Sequence, residues 1–260
     1  MIVASWNINS VRIRLELIKN WIIDRNPDVI LFQEIKCENT EFPEDFFKEL
    51  GFVCKVHGQK GRNGVAIVIK KYLENNITDV IVEDFNKTNE SRFIGINLDK
   101  FDLTICSLYT PNGNPINNSI KFQNKLLWYK NLRVFTNFFF KNERNIILGG
   151  DFNVLENSLD VNDIQNWRND ALGHRSVVKT FRELLALGLT NVVRVFKKPG
   201  ESYSFWDYQR QSWERNYGLL IDHFLVSPKI LEKIKNFGID SRLRSFTKPS
   251  DHAPIWIKIN

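Results

Sequence analysis

Histidine and cysteine are scarce in this chain, with four and three residues among 260. His57, His174, His223 and His252 are too scattered for a His-rich zinc centre. Cys37, Cys54 and Cys106 cannot all pair, and none lies in a CxxC arrangement. A disulfide-stapled scaffold is therefore excluded, and the thiols read as structural residues of a reducing compartment. No apolar run reaches the ~18 residues of a membrane span. The opening MIVASWNINSVRIR lacks a basic leader followed by an apolar region and a small-residue cleavage site, so no signal peptide is expected. A dinucleotide-binding turn is missing too. Gly58, Gly61 and Gly64 form GxxGxxG after a polar run, which reads as a turn and not as GxGxxG. No repeat recurs at about 20 to 50 residues. No linker or change of composition divides the chain, and residues 1–260 are expected to form one domain.

What is present is ordinary for a globular protein: 43% hydrophobic and 25% charged residues. The net charge of +6 and pI of about 9.1 suit polyanionic partners such as nucleic acid, without being diagnostic.

Strand and helix patterns mix. Met1 to Trp6 is apolar and predicts a buried strand running into the polar Asn7-Ile8-Asn9-Ser10. Val11, Leu15, Ile18 and Ile22 recur at helical spacing, with Ser10 as the expected cap and Asn26-Pro27 as the stop. DVILFQE, Val65 to Ile69, RFIGINL and LTICSLY read as strands, the last two as an antiparallel hairpin across Asp99 to Asp102. TPNGNP is loop. Lys121 to about Phe140 and Val177 to Leu187 predict helices. NIILGGDFN, LLIDHFLVS and IWIKI predict further strands, and YSFWDY an aromatic strand or strand edge.

Polar residues fall at the ends of these strands. VASWN ends at Asn7, VILFQE at Glu34, and IILGGDFN at Asp151 and Asn153. LLIDH carries Asp222, and PSDH carries Asp251 and His252 just before the last strand. Taken singly, each has a bland reading. Glu34 is a turn or cap residue, Asn153 an Asx-turn, Asp151 a loop residue. Asp222 is one half of a salt bridge, and Asp251-His252 a surface turn. His57, His174 and His223 read as structural or surface residues. Taken together, acids brought to one edge would repel and be desolvated, and a hard divalent cation relieves both costs. Oxygen donors favour Mg²⁺ or Mn²⁺ over Zn²⁺.

At these residues the sequence resembles the exodeoxyribonuclease III family of apurinic/apyrimidinic endonucleases, within the endonuclease/exonuclease/phosphatase superfamily. The resemblance spans the chain in ordered blocks: SWNINSVRIR, PDVILFQEIK, HGQKGRNGVAI, LYTPNGNP, GGDFNV, YSFWDY, IDHFLVS and KPSDHAPIW. The Asn, Glu, Asp-x-Asn and Asp-His parts are shared with the superfamily's lipid and inositol phosphatases. YTPNG and YSFWDY resemble the DNA-repair branch.

The resemblance implies an α/β fold, a four-layer α/β sandwich in which two packed, mostly antiparallel sheets are flanked by helices, as in DNase I-like proteins. It implies a metal held by Glu34 with Asn7 in support, and with Asp151, Asn153 and Asp251 as further candidate ligands. Asp151 would orient or deprotonate the attacking water, Asn153 would assist and contact phosphate, and Tyr109 would donate a hydrogen bond at the scissile phosphate or bear on the leaving group. His252 would contact a phosphate oxygen, held by Asp251, and Asp222 would complete the histidine and metal side. Whether the base is Asp151 or the Asp-His pair, and whether one metal is used or two, stays open. Lys60, Arg62, Lys36 and Asn112 would touch DNA phosphates. Phe205 and Leu219 would wall a pocket for a flipped sugar lacking its base, while Trp206 reads as core.

The expected activity is Mg²⁺-dependent hydrolysis of the phosphodiester 5′ to abasic sites, with 3′-end cleaning and 3′-to-5′ exonuclease action. Mn²⁺ would substitute. The expected partner is double-stranded DNA with abasic sites or blocked 3′ ends. A cytoplasmic bacterial monomer without membrane association is implied. The alternatives are a phosphatase or phosphodiesterase of lipid or inositol phosphates, and a DNA-binding module without catalysis. One departure stands out: Leu220 replaces the Arg of the family's Gly-x-Arg-Ile-Asp, and is expected to alter the balance of activities near the pocket.

Overall fold

In β1 (Ile2–Asn7) and β2 (Val29–Gln33) nearly every side chain is buried. Such strands must lie between two apolar layers, and both faces of each strand read as hydrophobic for that reason. A computed structural model describes residues 1–117 and 119–260 and has this layering. Val3, Val29 and Leu31 face one cluster, and Ala4, Trp6, Ile30 and Phe32 face another, as the strand pleat requires.

The first six-stranded sheet runs, in spatial order, β11 (Ile234–Ile239), β12 (Ile255–Ile259), β1, β2, β4 (Val65–Lys70) and β3 (Phe52–His57). The second runs β5 (Ile77–Val82), β6 (Phe93–Leu98), β7 (Leu103–Tyr109), β8 (Asn145–Asp151), β10 (Asp222–Val226) and β9 (Thr190–Asn191). Among the described residues only β1–β2 and β7–β8 pair in parallel. The sheets pack face to face through Val3, Leu31, Ile67, Ile96, Ile105, Ile147, Phe224 and Ile257.

Helices cover both outer faces. On the first sheet, α1 (Leu15–Arg25) and α2 (Glu44–Glu49) bury Ile18, Trp21 and Phe47 with Trp6 and Phe32. On the second, α3 (Ser119–Lys141) and α4 (Arg175–Leu185) bury Tyr129, Leu132, Val177 and Phe181 with Phe93 and Phe152. Two short helices, α5 (Val192–Phe196) and α6 (Pro228–Leu231), add Val192, Val193 and Ile230 to the cluster between the sheets. The result is the four-layer α/β sandwich expected from the sequence. All three cysteines are free, and no helix among the described residues is long and apolar enough to cross a membrane.

Local expectations differ at three places. Ser10 does not cap α1. It holds a positive φ of 82°, and the helix begins only at Leu15, after a turn in which the Arg14 N–H donates to the Val11 carbonyl at 3.1 Å. YSFWDY forms no regular strand and keeps only the edge part of its expectation: Phe205 makes single antiparallel bridges to Leu219 and His252. Leu220 lies with Val192 and Phe224 between the sheets at 2% exposure. It is therefore not beside the pocket, because neighbouring residues in extended chain face opposite ways and Leu219 takes the pocket side.

Candidate active site

Strand direction and register gather the polar residues. β1 and β2 run parallel and place Asn7 opposite Gln33, so Glu34 leaves the sheet beside Asn7. In the second sheet Tyr109 of β7 and Asp222 of β10 both pair with Asp151 of β8. The antiparallel β10 begins where β8 ends. Likewise β12, antiparallel to β1, begins at the edge where β1 ends and brings Asp251 and His252 there. Beneath this edge Gln33 Nε2 donates to Ser107 Oγ at 3.0 Å, a buried polar link between the sheets. Gly150 is needed here, since a Cβ would overlap the Leu108 carbonyl of β7.

The side chains converge. Asn7 Nδ2 donates to Glu34 Oε1 at 2.9 Å and to Asp151 Oδ2 at 3.1 Å, bridging acids from the two sheets. His252 Nε2 stands 3.7 Å from the same Asp151 oxygen. Its Nδ1 lies 2.8 Å from Asp222 Oδ2, which also accepts from Ser204 Oγ at 2.6 Å. The Asn153 N–H donates to Asp151 Oδ1 at 2.9 Å, and its Nδ2 donates to the Thr110 carbonyl at 2.9 Å. Asn112 Nδ2 reaches Asn153 Oδ1 at 3.4 Å. Glu34 and Asn153 both leave their strands with left-handed backbone, φ 49° and 47°. For residues with a Cβ such a conformation is strained by roughly 1 kcal/mol or more and persists where surroundings enforce it.

One assignment changes: Asp222, not Asp251, holds His252. Residues 251 and 252 point to opposite sides of the chain. Asp251 Oδ1 instead accepts from Asn9 Nδ2 at 3.0 Å. Asn9 Oδ1 accepts from Lys36 Nζ at 2.7 Å, and that ammonium also pairs with Glu34 Oε2 at 2.9 Å. Asp251 thus joins the site through Asn9 and Lys36, on the rim.

Electrostatics follow from burial and these partners. Burial pushes the Asp151 carboxyl up, and Asp222 and Glu34 add to this against the pull of His252. Burial pushes the His252 imidazole down, but Asp222 and then Asp151 and Asp251 outweigh it and lift it to about 10. His252 is therefore an imidazolium with both ring nitrogens donating. Burial raises Glu34, yet Lys36 and the hydrogen bonds from Asn7 and Lys36 hold it below the ordinary range. Burial, then Glu34 and Asp151, push the Tyr109 phenol well above its usual value, so its hydroxyl stays neutral. Arg92 lies over the Tyr109 ring at 4.7 Å.

Glu34, Asp151, Asp222 and Asp251 set four acidic side chains around the cations of Lys36 and His252. A divalent ion would relieve the repulsion among such carboxylates, and Asp222 Oδ1 is buried with no donor. Among the described residues no three acids or histidines already form a closed metal cage. Carboxylate and amide oxygens are donors for a hard cation, which one or two carboxylates can hold while water and substrate phosphate fill its shell. The residues present fit such an ion.

Other expected positions fall around this centre. Phe205 packs on the His252 ring at 4.9 Å between centroids. Phe205 and Leu219 share a small apolar cluster with Val161 and Ile221. They wall a cavity of about 1000 Å³ beside Trp167, Asp207 and Arg210. Lys60 and Arg62 are exposed in the loop before β4. Backbone bonds from Ile35 to Gly64 and from Lys36 to Asn63 tie that loop to Glu34. Trp206 is core at 2% exposure. His174 caps α4, accepting from the Ser176 N–H, and His223 is buried on the far face of β10 against Phe152 and Phe181.

Three positions escaped sequence reading. Lys125 of α3, fully buried, donates to the carbonyls of Asn112 and Asn153 at 2.9 and 2.6 Å and so joins two site loops. Burial pulls its ammonium down to about 7, against Asp151 and Asp170. Arg14 Nη2 donates to Tyr208 Oη and the Pro249 carbonyl, both at 2.9 Å, clipping three loops together. Ser204 fixes Asp222. A lysine on the apolar stripe of a helix was the one available signal, at Lys125.

Comparison with known proteins places this arrangement. The Endonuclease/Exonuclease/phosphatase family matches residues 4–252. Exodeoxyribonuclease III of Haemophilus influenzae is 33% identical, over 97% of this chain and 97% of that protein. Among solved structures, an AP endonuclease from Archaeoglobus fulgidus superposes with TM-score 0.91 at 29% identity, covering 100% of this chain and 99% of that one. A 3′ phosphatase from Neisseria, NExo, bound to a product DNA hairpin, superposes with TM-score 0.92 at 30% identity, with coverages of 100% and 99%.

Proposed function

The chain belongs to the Endonuclease/Exonuclease/phosphatase family, and from that premise we propose that it is a Mg²⁺-dependent DNA repair nuclease. It hydrolyses the phosphodiester 5′ to abasic sites, trims blocked 3′ ends and removes nucleotides from 3′ termini of duplex DNA. Mn²⁺ substitutes for Mg²⁺. It acts as a monomer in a bacterial cytoplasm. The observation that carries the reading is the meeting of Glu34, Asn7, Asp151, Asp222 and His252 at the joined edges of two sheets.

Glu34 and Asn7 would hold the cation, with Asp151, Asn153 and Asp251 as further candidate ligands. When bound, the ion offsets negative charge on the phosphate oxygens. Asp151 takes the proton of the attacking water; its carboxyl, pushed up by burial, is a better base than an exposed aspartate. Asn153 orients that water. His252, kept cationic by Asp222, donates to a phosphate oxygen, and the neutral Tyr109 hydroxyl donates without adding negative charge. Lys60, Arg62 and Asn112 hold backbone phosphates and read no sequence. Phe205 and Leu219 accept an extrahelical sugar without a base, and flipping costs least where pairing is already lost.

The test is cleavage of a duplex carrying one abasic site against the intact duplex, resolved by product length, with and without Mg²⁺. A single cut 5′ to the lesion, abolished by EDTA and reduced by at least ~100-fold in Asp151→Asn, is expected. Release of phosphate from inositol polyphosphates with the abasic duplex left whole would assign the site to the superfamily's phosphatases instead.

A further inference from the structure

Beside the sugar pocket lies a second groove, of about 750 Å³, between α4 and the segment 162–168. Its rim carries Arg168, Arg175, Lys179 and Arg182, all exposed. Two acids also line it, but both are already satisfied. Glu156 pairs with Arg194 at 2.9 Å, and Glu183 pairs with Arg133 at 2.9 Å. Arg168, Arg175 and Lys179 form no ion pair or hydrogen bond among the described residues, and Arg182 bonds only the Glu156 carbonyl, at 3.1 Å. Four positive charges thus stand together without compensation.

The groove adjoins the sugar pocket across one short segment. Segment 162–168 separates the two cavities: Ile164 and Arg168 face the groove, and Asn166 and Trp167 face the sugar pocket. Leu155, on the groove floor, shares one apolar cluster with Leu219 and Phe205 of the pocket wall. Along α4, Arg175, Lys179 and Arg182 follow one face over seven residues, a rise of about 10 Å. The phosphates of one DNA strand advance ~3.4 Å each along the duplex axis, so a row laid along that axis spans about three such steps.

We propose that this groove is a second phosphate-binding surface, which grips the backbone of the duplex arm leaving the sugar pocket and reads no sequence. The proposal rests on the nuclease reading for its choice of polyanion. It predicts an affinity that grows as the duplex extends past the pocket, and a steeper salt dependence than the pocket alone would give.

The experiment uses the full chain and a triple variant, Arg168→Gln, Arg175→Gln and Lys179→Gln, with folding checked by thermal melt. Binding of intact duplexes of increasing length is followed by fluorescence anisotropy in EDTA over a series of salt concentrations. Cleavage of a short abasic duplex in Mg²⁺ is measured separately. For the longest duplex, the slope of log Kobs against log salt is expected to fall by about 2 to 3, at ~0.9 for each phosphate that is no longer neutralised. Affinity at ~0.1 M salt should drop by at least about tenfold. Short-duplex cleavage should stay within about twofold of the parent. An unchanged slope and affinity on the longest duplex overturns the proposal. So does a variant that keeps DNA affinity but loses binding to poly-glutamate, since the surface would then serve an acidic protein. The binding arm needs no cleavage, so a parent that cuts no abasic DNA would refute the nuclease reading and leave this result legible.

Discussion

Replacing Asp222 by Asn tests which acid governs His252. The lift of the imidazole from its ordinary 6.5 to about 10 corresponds to about 5 kcal/mol at ~1.4 kcal/mol per pH unit. Asp222 leads both the charge interaction and the hydrogen bonding, ahead of Asp151 and Asp251. In Asp222→Asn the ring should therefore titrate clearly below about 10, the largest drop that any one of these three acids can cause. The assay is a ¹⁵N NMR titration of the histidine ring in metal-free protein, where no cation competes with the imidazolium. It is paired with the pH profile of abasic-duplex cleavage in Mg²⁺. The variant should lose activity progressively at lower pH than the parent, because only the imidazolium brings positive charge to the phosphate, donating from Nε2 while Nδ1 stays on its partner at position 222. Asp251→Asn should move the titration by less than about half a pH unit, since its carboxylate bonds Asn9 and not the ring. If Asp251→Asn lowered the His252 titration more than Asp222→Asn, the assignment of the pair would be refuted. Stability carries the same sign. The folded-state value is raised, so the contribution of His252 is complete below about pH 6.5 and is lost as pH rises through about 10. Denaturation midpoints of parent and Asp222→Asn should accordingly converge at the alkaline end of that window.

Leu220→Arg, which restores the family pattern, should destabilise rather than retune the enzyme. An unpaired guanidinium placed at 2% exposure between the sheets costs about 3 kcal/mol or more, read as a lowered urea midpoint at unchanged m-value. Lys125→Met strands the Asn112 and Asn153 carbonyls. It should cost about 2–4 kcal/mol and lower kcat more than about tenfold through misplaced loops; an unaltered kcat in a folded variant would remove Lys125 from the positioning set. Glu34→Gln should raise the Mg²⁺ concentration for half-maximal cleavage by about 10-fold or more, measured by metal titration, while duplex affinity in EDTA stays near that of the parent.

Local chemistry made the strand tips legible. An apolar run that ends in Asn7, Glu34 or Asp151 marks a buried strand and the point where it meets solvent, whatever lies beside it in space. The antiparallel hairpin of β6 and β7 and the long helix α3 were readable for the same reason, being set by period and turn residues alone. Partnership was not legible. Asp251 and His252 are neighbours in sequence, and that adjacency suggested a pair which the pleat forbids. The true partner, Asp222, is supplied by register. β10 sets residue 222 against Asp151 and leaves His223 on the opposite face, among Phe152 and Phe181. A slip of one residue would exchange them. The histidine of Asp-His at 222–223 would then reach the site, and the acid would lie unpaired in an apolar layer, at a cost of several kcal/mol. The sequence carries this constraint only as composition: small Gly149 and Gly150 on β8 opposite large Phe224 and Leu108, a fit that excludes other registers once both strands are in place. Lys125 escaped for a related reason. A helix period marks it as inward, but only the two carbonyls of distant loops make an inward lysine tolerable, and nothing within α3 announces them.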